Sequence, residues 1–212
     1  MKRLSISFVL AAVALAASPA HAYRFIQNTG VGRTSSGYLV ACNASGGFVH
    51  WTQANIPWRL NTSGQGAGKE GAVTASCASW TNVAQANHNL TYAGTTNAGF
   101  ATDGINAIVF ARGNGCSGQC LAITALVLAA GQVITETDIS FNRNYAWNTN
   151  GSAVDTQAVM THEMGHALGL HHTEVTSTPR PTMYASYFGT DGRTLESDDV
   201  QGLQCSFNRY PF

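Results

Sequence analysis

Apolar and polar residues alternate over residues 55–60, where Ile56, Trp58 and Leu60 share one face of an extended chain, so a strand is predicted there. Pro57 cannot donate to a ladder and argues for a sheet edge or a strand start. After a glycine-rich turn at 63–68 the period changes. Val73, Cys77, Trp80, Val83 and Ala84 recur at mostly three- and four-residue spacing, which predicts a helix within 70–87. Strands follow at 90–92, 107–111, 121–128 and 133–141, on short apolar runs that include Ile, Thr and Val. A second helix is predicted over about 155–168, with Asp155 as N-cap ahead of Val159 and Met160. Ser197, Asp198 and Asp199 open a third, short helix through Leu203. Strands gathered between an early helix and two late ones indicate a mixed α/β (α+β) domain built on a single sheet.

The ends of the pattern suggest how the chain is organised. Lys2 and Arg3, an apolar run over 4–17 and the small-x-small triplet Ala20-His21-Ala22 predict a signal peptide over 1–22, with Tyr23 as the mature N-terminus. The run is too short to span a bilayer, so a secreted or extracellular product, with periplasmic transit where there is a periplasm, is expected rather than an anchored one. Residues 23–47 are rich in Gly, Ser, Thr and Asn without clear periodicity and read as an irregular leader or short pro-segment, the folded domain then covering 48–212.

Composition narrows the partners. Loss of residues 1–22 takes Lys2 and Arg3 with it, so eleven basic residues become nine against eleven acidic ones. Without a basic face a nucleic-acid partner is not expected. All five cysteines, Cys42, Cys77, Cys116, Cys120 and Cys205, follow the cleavage site, so disulfides are expected in an oxidising compartment and the odd count leaves at least one thiol over. Cys116 and Cys120 flank a short glycine-containing turn and can close a small loop.

The chemistry is concentrated at His162-Glu163-Met164-Gly165-His166-Ala167-Leu168-Gly169-Leu170-His171-His172. On a helix His162 and His166 lie one turn apart on one face, where both imidazoles reach one cation, with Glu163 beside them. A continuing helix would turn His172 about 240° away from His166. Gly169 relieves this, because glycine accepts the left-handed backbone that ends a helix. Three imidazoles and an open position suit zinc, which makes water a nucleophile near neutral pH, and Glu163 is placed to take the proton as general base. His171 is the rival third ligand, and Glu174 a rival distal carboxylate.

The run His162-Glu163-x-x-His166-x-x-Gly169-x-x-His172 resembles the long zinc signature of the metzincin peptidases at all five fixed positions. In that family a methionine turn lies beneath the metal, and Pro181-Thr182-Met183-Tyr184 stands eleven residues past His172. Thr173 is closest to the Ser that follows the third histidine in matrixins. Met183-Tyr184-Ala185-Ser186-Tyr187 also resembles the matrixins, with Tyr187 at the place of the S1′ pocket wall and Ala185 where astacins and serralysins carry a zinc-binding tyrosine. Leu121-Ala122-Ile123-Thr124-Ala125 resembles the edge strand that pairs with extended substrate, and Asp198-Asp199 the acidic pair of the last matrixin helix.

This resemblance implies a metzincin fold, with one twisted, mostly parallel sheet, an early helix, an active-site helix and a C-terminal helix. It implies a secreted, monomeric zinc metalloendopeptidase acting on protein or peptide substrates, with Glu163 catalytic, His162, His166 and His172 on one zinc, and Gly169, Met183 and Tyr187 as support and pocket. The structural second zinc of vertebrate matrixins is not expected, since Ile123 replaces a histidine near the edge strand. Calcium stays unassigned for want of a compact acidic loop. A second reading keeps the fold as a secreted peptide-binding module, or as an enzyme held latent by the thiolate of Cys42 capping the zinc. A disulfide from Cys42 to Cys77 or Cys205 is the stronger expectation for that cysteine.

Overall fold

The computed structural model describes residues 23–27, 37–39, 42, 47–111 and 119–212. The signal peptide expected over 1–22, and Cys116, lie outside them. In chain order the strands are β1 Arg24–Gln27, β2 Gly37–Leu39, β3 Asn55–Asn61, β4 Asn89–Thr96, β5 Ala107–Ala111, β6 Ala122–Ala129, β7 Val133–Asn142, β8 Trp147–Asn148, β9 Val154–Asp155 and β10 Leu170–His171. The helices are α1 Glu70–Thr81, α2 Thr156–Ala167 and α3 Ser197–Arg209.

The main sheet has the order β4-β3-β5-β7-β6, parallel throughout except for β6, which returns antiparallel to β7 through a tight turn and forms an edge. This is the mostly parallel sheet expected from sequence. Its parallel members need crossovers, and α1 supplies the one between β3 and β4. Pro57 is tolerated in β3 because β5 joins that strand only at Arg59 and Leu60, leaving Pro57 ahead of the ladder.

Side chains from the sheet and helices close one core. Ile56, Trp58, Leu60, Ile108, Ile139 and Phe141 meet Val73, Cys77 and Trp80 of α1 and Met160 and Met164 of α2. Helix α1 turns Val73, Cys77 and Trp80 inward at the predicted spacing, and the Trp80 indole N–H donates to the Thr161 carbonyl at 2.8 Å, locking α1 onto α2. Truncating so fully buried an indole to Ala costs about 3–5 kcal/mol.

Three expectations change. The first helix ends at Thr81 rather than near 87, because Gln85 and Asn87 take positive φ and steer the chain back to β4. Helix α3 runs well past Leu203, started by a capping box in which Glu196 and Asp199 each accept the other's backbone N–H. Residues 23–47 are not wholly irregular. Strand β1 pairs antiparallel with both β2 and β10, and Phe25 stacks on Phe48 at 3.9 Å in the core.

Cys42 is joined to Cys205 across 163 residues, which corrects the reading of Cys42 as a cap on the metal and settles its partner. Cys120 is also disulfide-bonded, while its expected partner Cys116 lies outside the described residues. The leftover thiol is Cys77, buried against the sheet, where desolvation pushes it up to about 12 and makes it inert. Among the described residues no helix is long and apolar enough to cross a membrane.

Candidate metal centre

Helix α2 begins where Asp155 accepts the backbone N–H of Ala158 at 2.9 Å, as the sequence predicts for an N-cap. Arg193 clamps the same carboxylate through Nε at 2.9 Å and through a second, shorter contact from its terminal nitrogen. The helix is thereby held at its start, and one turn from its end it carries His162, Glu163 and His166. It stops at Gly169, whose φ of +93° reverses the chain. A Cβ there would meet the Val49 carbonyl oxygen at 2.3 Å, so both conformation and space demand glycine. Ile26 of β1 donates to the Gly169 carbonyl at 2.9 Å and fixes the turn from outside.

The reversal carries His172 back. His162, His166 and His172 form the only group of three or more potential ligand side chains converging on one point among the described residues. Their Nε2 atoms lie close, His172 to His162 at 3.2 Å and to His166 at 3.1 Å. Nδ1 of His162 contacts the Thr182 carbonyl at 2.7 Å, and Nδ1 of His166 the Leu170 carbonyl at 2.8 Å. A carbonyl can only accept, so both Nδ1 atoms carry the proton and both Nε2 atoms present lone pairs. His172 can donate to one of these lone pairs but not to both, and a neutral triad is left unsatisfied without a cation. Tetrahedral zinc with Zn–N of about 2.0–2.1 Å would space its nitrogens about 3.3 Å apart, close to what is observed. The donor set therefore fits zinc.

Electrostatics favour the same state. Burial, with His162 and His172 adding to it, holds His166 well below the usual imidazole range, and burial lowers His172 to about 4. Both are neutral at pH 7, as a metal-binding imidazole must be.

The methionine turn meets His162 through the Thr182 carbonyl, and its Met183 carbonyl accepts the N–H of Thr173, next to His172. Met183 is buried, and a Cβ on Gly165 would fall 2.2 Å from its sulfur, so glycine at 165 makes room for the side chain. Asp199 of α3 accepts the backbone N–H of Thr182 at 2.8 Å and of Met183 at 3.0 Å. Since the Thr182 carbonyl in turn accepts from His162, α3 braces that imidazole through the turn. Burial raises Asp199 to about 6 even though these N–H donors favour its charge.

Glu163 is buried next to the imidazoles. Desolvation pushes its carboxyl above the usual carboxylate range, against the lowering influence of His162 and of a hydrogen bond from Thr124. The rival ligands lie elsewhere. His171 pairs through its backbone with Arg24 and is outside the converging group, and Glu174 is mostly exposed and forms an ion pair with Arg24. Tyr187 is 42% exposed, its hydroxyl accepting the Asp155 N–H at 2.9 Å, which ties the segment after Met183 to the start of α2.

Sequence reading missed Thr124, Arg193 and β1. Arg193 and Thr124 lie 38 and 39 residues from the groups they bond, and nothing in local pattern links them. Asp138 accepts from Ala101 and Ala107, and Glu136 from Asp103 and Gly104, so together they hold the β4–β5 connection.

Residues 50–208 match the matrixin family, peptidase family M10. Matrix metalloproteinase-26 of Homo sapiens is 37% identical over 68 residues, 31% of this chain and 25% of that protein. Karilysin of Tannerella forsythia is 36% identical over 74 residues, 35% of this chain and 15% of that one. Matrilysin of Rattus norvegicus is 39% identical over 71 residues, 32% and 25% of the two chains. The matched stretch spans a quarter or less of each of these relatives. With the family match covering most of the sequence and the histidine cluster inside it, the chain belongs to the matrixin family.

Proposed function

We propose that this protein is a secreted zinc-dependent endopeptidase that cleaves extended protein or peptide substrates. The observation that carries the reading is the convergence of three imidazole Nε2 atoms beside a buried glutamate. His162, His166 and His172 would hold the metal, with Nδ1 of the first two fixed by backbone carbonyls. Zinc bound there supplies a fixed positive charge that activates water and polarises the scissile carbonyl. Glu163 takes a proton from the attacking water and returns it to the departing amine. Its buried setting keeps that proton from bulk solvent.

Substrate would lie along β6, the sheet edge nearest Glu163, and extend it as a further strand. Tyr187 and the segment after Met183 would border the pocket for the residue following the cleaved bond. Residues 1–22 would serve as the export signal and 48–212 as the catalytic domain. Strand β1, packed against β10, supports keeping residues 24–27 with that domain, so removal of residues 23–47 would take a paired strand out of the fold.

The second reading, a peptide-binding module on the same fold, is disfavoured because Glu163 is present and a binding function has no need of it. Hydrolysis of a mixed fluorogenic peptide library by the purified chain separates the two. Cleavage abolished by a chelator and restored by zinc is expected. Peptide binding without cleavage at one zinc per chain would favour the module.

A further inference from the structure

The Thr124 hydroxyl lies 2.6 Å from Oε2 of Glu163 and 3.1 Å from the Glu163 carbonyl oxygen. It has one proton, and the shorter contact falls in the range of hydroxyl donors to ionised carboxylates. Among the described residues no other group donates to that carboxylate. Thr124 sits in β6, whose register with β7 places it opposite Ile139. A strand at the sheet edge thus reaches across to the helix that carries two of the three imidazoles.

A glutamate carboxylate turns easily about its last torsion, which is broad and roughly two-fold. An untethered carboxylate would present either oxygen, at varying angles, to a water beside the imidazoles. We propose that Thr124 is a positioning residue for the base, holding Oε2 of Glu163 from the edge strand so that Oε1 is the oxygen that meets the attacking water. This rests on Glu163 serving as base. Because β6 is also the strand proposed to seat the substrate, base and scissile bond are aligned by one element. Proximity and orientation are where such a tether acts, and misplacement of a reacting group by about 1 Å costs up to roughly 100-fold in rate.

Steady-state kinetics with Thr124→Val, Thr124→Ser and Glu163→Gln test it. Valine keeps the shape and loses the donor, and kcat is expected to fall about 10- to 100-fold with KM within about twofold and zinc content unchanged. Serine restores the donor and should recover most of kcat, which a purely structural role for the methyl group would not do. If Thr124→Val does not fold, Thr124→Cys, of similar volume and weak donor strength, should give an intermediate kcat. A second readout needs no metal. In metal-free protein the melting-temperature losses of Thr124→Val and Glu163→Ala should be less than additive in the double variant, because each removes the same bond.

Wild-type kcat in Thr124→Val alongside a large loss in Glu163→Gln would overturn the proposal and leave the base in place. Wild-type turnover in Glu163→Gln would instead remove the base assignment on which it rests.

Discussion

His162 and Glu163 are neighbours in the chain, yet opposite walls of the molecule hold them. The imidazole is fixed by the Thr182 carbonyl, on a methionine turn braced by Asp199 from α3. The carboxylate is fixed by Thr124, on the edge of the main sheet. The ligand wall comes from residues after 160, close in sequence and closed by the Gly169 turn. The base wall needs the sheet, whose edge strand supplies Thr124 from 39 residues earlier. The geometry proposed for the ligands and that proposed for the base are therefore separable in this fold, and damage to one wall should leave the other standing.

The sharpest break is His166→Ala. Loss of one of three imidazoles should weaken zinc binding by more than about 100-fold and abolish cleavage, read by metal analysis after dialysis. Because Thr124 and Glu163 are untouched, zinc retained at one per chain would show that another side chain completes the ligand set.

Asp199→Ala attacks the same wall from behind. It strands the backbone N–H groups of Thr182 and Met183 in a buried setting, and should cost about 3 kcal/mol in denaturant unfolding while also weakening zinc. A stability loss with zinc affinity unchanged would mean that the methionine turn does not hold His162.

A pH effect of similar size lies outside both walls. His88 is buried, and desolvation lowers it to about 4, so folding keeps it neutral. Its folded value lies below the unfolded value of about 6.5, so this stability is fully present above about pH 6.5 and is lost as pH falls toward 4. Relative to His88→Phe, the wild-type chain should lose roughly 3 kcal/mol between pH 7 and pH 3.5, a difference measured by denaturant unfolding at each pH. A flat difference would show that His88 is not buried as a neutral ring.

The same division explains what the sequence shows and what it hides. His162, His166, Gly169 and His172 are legible because helical period and a single glycine turn fix their relations within eleven residues. Asp155 is legible as a cap for the same local reason. Thr124 is hidden, since a hydroxyl within an apolar strand gains its meaning only once β6 is registered on β7 and packed beside α2. Strand β1 is hidden as well. Its partner β10 lies over 140 residues away, and Arg24 to Gln27 are too few to show a period. The end of α1 is set by the path back to β4, which competes with local propensity and wins at Thr81.

The central claim is that three histidines hold zinc while Glu163 acts on water without being a ligand, and zinc stoichiometry measured together with turnover in Glu163→Gln tests it most directly. One zinc per chain with turnover reduced about 10²- to 10⁴-fold is the predicted result. Loss of zinc from this variant, or turnover equal to wild type, would contradict it.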